Sequence, residues 1–224
     1  ALIGVSMTGI ASGKVLDLDT TEASKVVKKE NERVAKLIDI NSAARCTTVK
    51  PAGTTSLTVG TSSGIHAWHN DYYIRRLRVG KNEAIYTYLT IFHPDMVEDE
   101  YFRPHDTAVI SVPQRAPEGA ILRTESALQL LKRVAKISSE WVKPGTRRGQ
   151  NTHNVSATVS IKEAEWADDV YNGLSVLPHD GGTYKQAPFE DCSKETYEKL
   201  LDNLEKIDLT KVVEIDDNTN LTGE

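Results

Sequence analysis

The spacing of apolar residues along the chain predicts amphipathic helices with one face on a core and one in water. After Thr20 or Thr21, apolar positions recur at helical spacing to about Ile38, and the positions between them are mostly Lys, Glu and Arg. The same period recurs at three later places, where helices are predicted to begin near Asn82, Thr124 and Ser193. The helix from Thr124 is expected to continue to about Val142.

Short runs rich in β-branched residues predict strands between these helices. They are residues 2–10, Arg45–Lys50, Ala108–Val112 and Val155–Ile161. The first is expected to be buried. The spacing Ser160-x-x-Glu163 matches a capping box and predicts one more helix, which would carry Trp166. Because strands and helices alternate, the pattern favours an α/β fold with largely parallel strands.

A turn with phosphate-binding chemistry follows the strand at Arg45–Lys50. Pro51, Ala52 and Gly53 form the predicted turn, and Thr54, Thr55 and Ser56 open a short helix or coil. Exposed backbone N–H groups and small hydroxyl side chains can bind a phosphate group closely. The segment has neither the P-loop nor the dinucleotide-binding glycine pattern, and an ordinary turn often has this composition. The residues alone therefore leave both interpretations open.

Composition and charge exclude several classes of protein. The chain has 224 residues, a net charge of −5 and no long apolar run, so neither a general nucleic-acid surface nor a membrane span is expected. Its first residues lack the basic and extended apolar regions of a signal peptide, which favours a cytoplasmic protein. The two cysteines, Cys46 and Cys192, have no zinc-site or CxxC spacing, although a long-range disulfide stays possible.

Six segments resemble ribonucleotide reductases, nearest to the adenosylcobalamin-dependent (class II) branch. TVKPAGTTSLTVGTSSGIH, at Thr48–His66, resembles the family's substrate-phosphate segment. The others, in the family's order, are Ile3–Ile10, Tyr72–Val79, Thr107–Arg123, Asn151–Ile161 and Leu177–Asp191. From the first segment to the last, the resemblance extends over residues 3–191, most of the chain.

The resemblance implies a specific architecture. The family's catalytic domain is a ten-stranded α/β barrel made of two five-stranded halves and threaded by a finger loop. Residues 1–192 resemble the C-terminal half of that barrel. Residues 193–224 would form a terminal helix and a polar tail that leads toward a redox tail absent from this sequence.

The resemblance also assigns roles to the turn. Ala52, Gly53, Thr54, Thr55 and Ser56 would hold the substrate phosphates through backbone amides and hydroxyls, and Pro51 would preset the turn. No catalytic residue and no metal ligand is assigned. The family's radical cysteine lies in an Asn-Pro-Cys-x-Glu loop, and neither that pattern nor Cys-Asn-Leu occurs here. His66, His69 and His153 are interpreted as ordinary polar residues.

The implied function is part of a ribonucleotide reductase, with adenosylcobalamin as the cofactor that initiates radical chemistry. The substrate would be a ribonucleotide, and KPAGTTS favours triphosphates. The expected partners are a thiol reductant and the missing N-terminal half with the radical cysteine, in the same polypeptide or a separate chain. The isolated chain is expected to be inactive. Two alternatives stay open: a fragment of a class I large subunit, and a non-catalytic nucleotide-binding remnant of the barrel.

Overall fold

The computed structural model describes residues 2–165, 176–178 and 184–212. Contacts divide the chain into two compact units. Unit 1 comprises Ala1–Trp68 and Ala116–His179, and unit 2 comprises His69–Arg115 and Asp180–Glu224. The mixed α/β class predicted from the sequence is confirmed.

The described residues contain eight strands and five α-helices. The strands are β1 (Leu2–Val5), β2 (Arg45–Thr47), β3 (Tyr72–Gly80), β4 (Val97–Asp99), β5 (Thr107–Arg115), β6 (Val159–Ile161), β7 (Val176–Pro178) and β8 (Phe189–Asp191). The helices are α1 (Thr20–Leu37), α2 (Thr54–Thr58), α3 (Ala84–Phe92), α4 (Ala127–Ile137) and α5 (Lys194–Glu205).

Unit 1 contains the parallel pairings that the sequence predicts. β1 pairs with β2 and β6 pairs with β7, in both cases in parallel. A single parallel bridge joins Val49, just after β2, to Val155. One expectation is wrong here: all four residues of β1 are exposed rather than buried. A ten-stranded barrel is consistent with these pairings and stays a prediction.

Unit 2 departs from the predicted parallel arrangement. Its four strands, in the order β4-β5-β3-β8, are all antiparallel, and β3 and β5 pair over nine residues each. Only seven residues, 100–106, separate β4 from β5. A parallel pair needs a crossover of a dozen or more residues, so this connection permits only the antiparallel pairing. The prediction of largely parallel strands is therefore wrong for this unit.

Side-chain caps begin α1, α4 and α5, whereas α3 follows Glu83 with no side-chain cap. Asp19 caps α1, and its side chain accepts a hydrogen bond from the Glu22 amide. Ser126, rather than Thr124, caps α4 in a capping box with Gln129. A π-helical segment, Ser138–Val142, then continues α4 to the predicted end. Ser193 caps α5, as predicted.

The predicted capping box at Ser160 is wrong. Ser160 lies within β6, and a short 3₁₀ turn follows at Glu163–Glu165. Glu165 binds the Lys162 amide and the Ala127 amide at the start of α4, each at 2.9 Å. The Glu165 carboxylate therefore accepts hydrogen bonds at the starts of α4 and of the 3₁₀ turn. Trp166, which the predicted helix would carry, lies outside the described residues.

The core of unit 1 fixes the backbone just before the phosphate turn. Ile10, Val49, Ile65 and Ile137 are fully buried together. Trp141 donates its indole N–H to the Thr48 carbonyl at 2.9 Å, next to the buried Val49. The chain therefore enters the turn from a rigid, fully packed position.

In unit 2, α5 packs against β5 and β3. Leu204 and Ile207 join a small core around Tyr88, whose hydroxyl accepts a hydrogen bond from the Asp208 amide at 2.9 Å. The predicted division at residue 192, into a barrel portion and a terminal extension, stays a prediction.

Candidate phosphate-binding site

The turn at Pro51–Gly53 depends on an unusual glycine conformation. Gly53 has φ 51° and ψ −116°, a region that residues with a side chain rarely adopt. A Cβ atom at Gly53 would meet nothing within 4 Å, so open space lies above this backbone. The Thr55 amide closes the turn by donating to the Ala52 carbonyl at 3.1 Å. The turn therefore presents backbone to a space that a ligand can enter.

The five predicted phosphate ligands do not all face solvent. Ala52 is half-buried, whereas Gly53, Thr54 and Thr55 are exposed. Ser56 is only 2 % exposed, and its hydroxyl donates to the Gly53 carbonyl at 2.7 Å. The Ser56 hydroxyl thus braces the turn from beneath, while the hydroxyls of Thr54 and Thr55 stand at the surface.

A second segment, Thr61–His66, supports the turn. Gly64 lies against it so closely that a Cβ atom would come within 2.8 Å of the Lys50 carbonyl oxygen. The Ser63 hydroxyl accepts a hydrogen bond from the Gly53 amide at 3.3 Å. Thr8 ties the segment down: its hydroxyl donates to the Ser62 carbonyl at 3.0 Å and accepts from the Gly64 amide at 2.9 Å.

A buried ion pair holds the same segment from its other side. Arg133 on α4 binds Glu125 through two hydrogen bonds of 2.6 and 2.7 Å. Its guanidinium also donates to the Ile65 carbonyl through Nε and Nη2, at 3.3 and 3.2 Å. The two side chains are only 6 % and 11 % exposed, so the pair is shielded from water.

Sequence reasoning gave no role to Thr8, Ser63, Gly64 or Arg133. Thr8 and Gly64 lie within segments that resemble the family, Ile3–Ile10 and Thr48–His66, so resemblance marked their neighbourhood. Arg133 lies outside all six segments. An arginine on a predicted amphipathic helix is usually exposed to water, and only the fold places Arg133 beneath Ile65.

The positive charge nearest in sequence to the turn is Lys50. Its Nζ donates to the Asn154 side-chain oxygen at 2.7 Å, and its backbone amide donates to the Ser6 hydroxyl at 3.0 Å. Among the described residues, no carboxylate lies within 4 Å of this ammonium group. Lys50 therefore adds a positive charge that no neighbouring carboxylate neutralises.

Each of the three histidines considered has protein partners. His66 contacts the Ser63 carbonyl and the Thr158 amide, at 3.0 and 2.9 Å. In unit 2, His69 lies 3.0 Å from the Asp191 carboxylate. His153 donates from Nε2 to the Ile3 carbonyl at 2.8 Å. Across residues 2–165, 176–178 and 184–212, the structure contains no cluster of three or more His, Cys, Asp or Glu residues that could hold a metal ion.

Both cysteines are free thiols. Cys46 is buried in unit 1, where its Sγ contacts the Asn31 side-chain oxygen at 3.7 Å. Burial raises the pKa of Cys192 in unit 2, and the nearby Asp191 and Glu190 carboxylates raise it further. A raised pKa leaves less thiolate at neutral pH, so this environment does not activate Cys192.

The chain is similar to adenosylcobalamin-dependent reductases over most of its length. A Dictyostelium discoideum protein named "Probable adenosylcobalamin-dependent ribonucleoside-triphosphate reductase" is 27% identical over 94% of this chain and 29% of its own length. The adenosylcobalamin-dependent ribonucleoside-triphosphate reductases of Lactobacillus leichmannii and Euglena gracilis are 28% and 27% identical. They match 78% and 89% of this chain, and 24% and 28% of their own lengths. No family model matches the chain.

The fold has a counterpart among solved structures. A crystal structure of a B12-dependent (class II) ribonucleotide reductase superimposes with a TM-score of 0.74 at 22% sequence identity. The match covers 94% of this chain and 34% of the solved one. The fold is therefore that of part of a class II ribonucleotide reductase. The chain is a homologue of adenosylcobalamin-dependent ribonucleoside-triphosphate reductases, and the resemblance inferred from sequence is confirmed.

Two further facts bound the functional interpretation. The chain spans about a quarter of the length of the curated relatives it matches, from 21% to 29%. Within the part of the chain that the structure describes, no helix is long and apolar enough to span a membrane.

Proposed function

We propose that this chain is the part of an adenosylcobalamin-dependent ribonucleotide reductase that binds the substrate phosphates. The observation that carries the proposal is the open turn at Gly53, flanked by the exposed Thr54 and Thr55, within a fold that matches the class II reductase. The relatives' names specify ribonucleoside triphosphates, in agreement with the preference inferred from KPAGTTS.

The reaction of the whole enzyme replaces the ribose 2′-hydroxyl by hydrogen, and a thiol pair supplies the two electrons. This chain contributes binding and orientation to that reaction. The Gly53 and Thr55 amides bond within the protein, so the Thr54 amide and the hydroxyls of Thr54 and Thr55 are the groups that donate hydrogen bonds to phosphate oxygens. Lys50 adds positive charge. A substrate held at its phosphates presents its ribose to the catalytic groups in one orientation.

Adenosylcobalamin would supply the radical that starts this reaction. The cavities described in the structure have volumes of about 500, 310 and 520 Å³. Cavities of this size suit drug-sized ligands, and a corrin cofactor is larger. None of these three cavities fits the cofactor, and no residue and no step is assigned to it here.

Inorganic triphosphate is the simplest probe of the phosphate site. Thr54→Val and Thr55→Val each remove one exposed hydroxyl and keep the side-chain shape. Each should weaken triphosphate binding about tenfold or more, since hydrogen bonds to charged groups contribute about 1.5–3 kcal/mol. Thr58→Val is the matched control, because the Thr58 hydroxyl donates within α2 to the Thr54 carbonyl. Unchanged affinity in both variants, measured by calorimetry, would contradict the proposed site.

The rest of the reductase is the proposed partner of unit 1. β1 is exposed on all four residues, and a groove of about 500 Å³ separates it from α1. The groove is lined mainly by aliphatic side chains, among them Ile3, Val5, Val26, Val34 and Ile38. An apolar groove beside an exposed strand is typical of a surface that another part of the protein covers. The half of the barrel that carries the radical cysteine is the proposed cover.

Co-purification tests this partner. The tagged chain, expressed in its host, should retain a polypeptide with the Asn-Pro-Cys-x-Glu loop in equal amount, and the pair should reduce ribonucleoside triphosphates when adenosylcobalamin and a dithiol are added. Val34→Glu places a charge in the groove and should abolish both results. Leu18→Glu changes an exposed leucine of unit 1 outside that lining and serves as the control. Capture without turnover would favour a non-catalytic remnant of the barrel.

The location and the lack of nucleic-acid binding are parts of the same proposal. A net charge of −5 gives no general surface for nucleic acid. A cytoplasmic site is proposed because the substrates and thiol reductants of this reaction are found there. Cell fractionation with an antibody against the chain tests it.

A further inference from the structure

The geometry around His66 points to a role that the reaction chemistry does not require. We infer that His66, in its neutral form, is a positioning residue that fastens the phosphate-binding turn to the backbone leading into β6. This inference rests on the proposed function, because the position that it controls is that of the phosphate turn. It concerns a residue that sequence analysis treated as an ordinary polar side chain.

The two partners of the imidazole ring determine its protonation. Nδ1 lies 3.0 Å from the Ser63 carbonyl oxygen, which can only accept, so Nδ1 carries a hydrogen. Nε2 lies 2.9 Å from the Thr158 amide nitrogen, which can only donate, so Nε2 offers a lone pair. Both bonds form only in the neutral tautomer with hydrogen on Nδ1.

A short chain of hydrogen bonds links this ring to the turn. The Ser63 carbonyl accepts both from the His66 ring and from the His66 backbone amide, each at 3.0 Å. The hydroxyl of the same serine accepts from the Gly53 amide at 3.3 Å. His66 therefore anchors Ser63, and Ser63 anchors Gly53 in the backbone conformation that opens the turn.

Protonation of His66 would break this series of hydrogen bonds at the contact between Nε2 and the Thr158 amide. A second hydrogen on Nε2 would face the Thr158 N–H, so an attractive contact would become a repulsive one. Among the described residues, no carboxylate lies within 4 Å of either ring nitrogen to stabilise the charged form. The charged groups beside the segment are Arg133 and Glu125, at the Ile65 carbonyl, and they bind each other. The neutral ring, and not the charged one, therefore maintains the link.

The tautomer can be observed directly in the unmodified chain. A long-range ¹H–¹⁵N spectrum of the histidine rings, recorded near neutral pH, should show His66 with hydrogen on Nδ1 alone. A scalar coupling across the hydrogen bond should join its Nε2 to the Thr158 amide. A ring with hydrogen on Nε2 would overturn the inference, and so would the absence of that coupling.

Binding of inorganic triphosphate connects this link to the site. His66→Phe keeps an aromatic ring but has neither ring nitrogen, so it makes neither bond. It should bind triphosphate about fivefold more weakly than the wild type, the ratio expected for one lost hydrogen bond. His66→Gln has one amide donor and one carbonyl acceptor, so it should recover the affinity of the wild type within about twofold.

His105→Phe is the matched control, since His105 is an exposed histidine of unit 2. It should bind triphosphate as the wild type does. Equal affinity of His66→Phe and the wild type, or equal weakening of His66→Phe and His66→Gln, would overturn the positioning role and leave the phosphate site intact. A wild-type chain that binds no triphosphate would overturn the proposed phosphate site, and the ring spectrum would then decide the state of His66 alone.

Discussion

Gly53 and Gly64 hold the phosphate turn together for different reasons. Gly53 adopts φ 51° and ψ −116° beside open space, so only the backbone conformation requires glycine there. Gly64 has φ 57° and lies against the Lys50 carbonyl, so it needs glycine both for its conformation and for the close approach of two backbones. At the residue scale, the site depends on the absence of a side chain at both positions.

The two glycines should respond unequally to alanine. Gly53→Ala should destabilise the chain by about 1–2 kcal/mol through backbone strain alone. Gly64→Ala should cost about 3 kcal/mol, because strain is joined by a contact with backbone atoms that cannot rotate away. Urea denaturation measures both changes. Equal losses, or a larger loss for Gly53→Ala, would contradict this assignment.

At the scale of single elements, α4 is fastened to the segment beneath the turn by the Arg133–Glu125 pair. Glu125→Gln should destabilise the chain by about 3 kcal/mol, since it leaves a buried guanidinium without its counter-charge. The double variant Arg133→Met/Glu125→Leu should recover much of that loss. Glu30→Gln, in the exposed Glu30–Arg33 pair on α1, is the control and should have little measurable effect. Additive single and double effects in chemical denaturation would contradict a coupled pair.

The loop between β4 and β5 depends on one carboxylate, that of Glu100. Burial disfavours its charged form, but the amides of Arg103 and Phe102, at 2.8 and 2.7 Å, and the Arg78 guanidinium together lower its pKa below the ordinary value of 4.5. The charged carboxylate therefore closes the loop by occupying two backbone donors at once.

This carboxylate predicts a pH dependence of stability. Since the pKa of Glu100 is lower in the folded chain than in the unfolded one, its contribution is complete above about pH 4.5 and is lost as the pH falls below that value. Glu100→Gln should be less stable than the wild type near neutral pH, and the difference should shrink between about pH 5 and pH 3. Thermal melts across this range measure it. A difference that stays constant down to about pH 3 would contradict the assignment.

At the scale of the whole molecule, the apolar groove of unit 1 is unusual for a protein that functions alone, because monomeric soluble proteins rarely expose large apolar patches. Val26, Val34, Ile38 and Ile40 on or after α1 are 38–60 % exposed. The isolated chain should therefore bind a hydrophobic dye and associate at high concentration. Val34→Lys combined with Ile38→Lys should reduce both effects, and Leu18→Lys should reduce neither, as measured by dye fluorescence and light scattering. Equal dye binding by all three proteins would place the apolar surface elsewhere.

Local sequence patterns correctly predicted the elements whose positions depend on neighbouring residues in the sequence. α1 and α5 begin where an acid or a serine can cap them, and the strand predicted at Ala108–Val112 lies within β5. The Ser160 capping box is wrong because strand pairing with β7 outweighs a local cap. The predicted orientation of the strands in unit 2 was wrong. The spacing of apolar residues indicates that a segment is a strand, but it does not indicate which strand pairs with it or in which direction.

The sequence by itself determined the family resemblance, the α/β class and the turn that is the candidate phosphate site, because these follow from the order of residues and from backbone preferences that glycine and proline impose locally. Only the tertiary structure decided that Ser56 faces inward, that Thr8 and Arg133 hold the segment beside the turn, and that the His66 ring lies between Ser63 and Thr158. Those contacts join residues up to 92 positions apart, as in His66 and Thr158. Hydrogen-bond partners at such separations are set by packing, which no local pattern along the chain records.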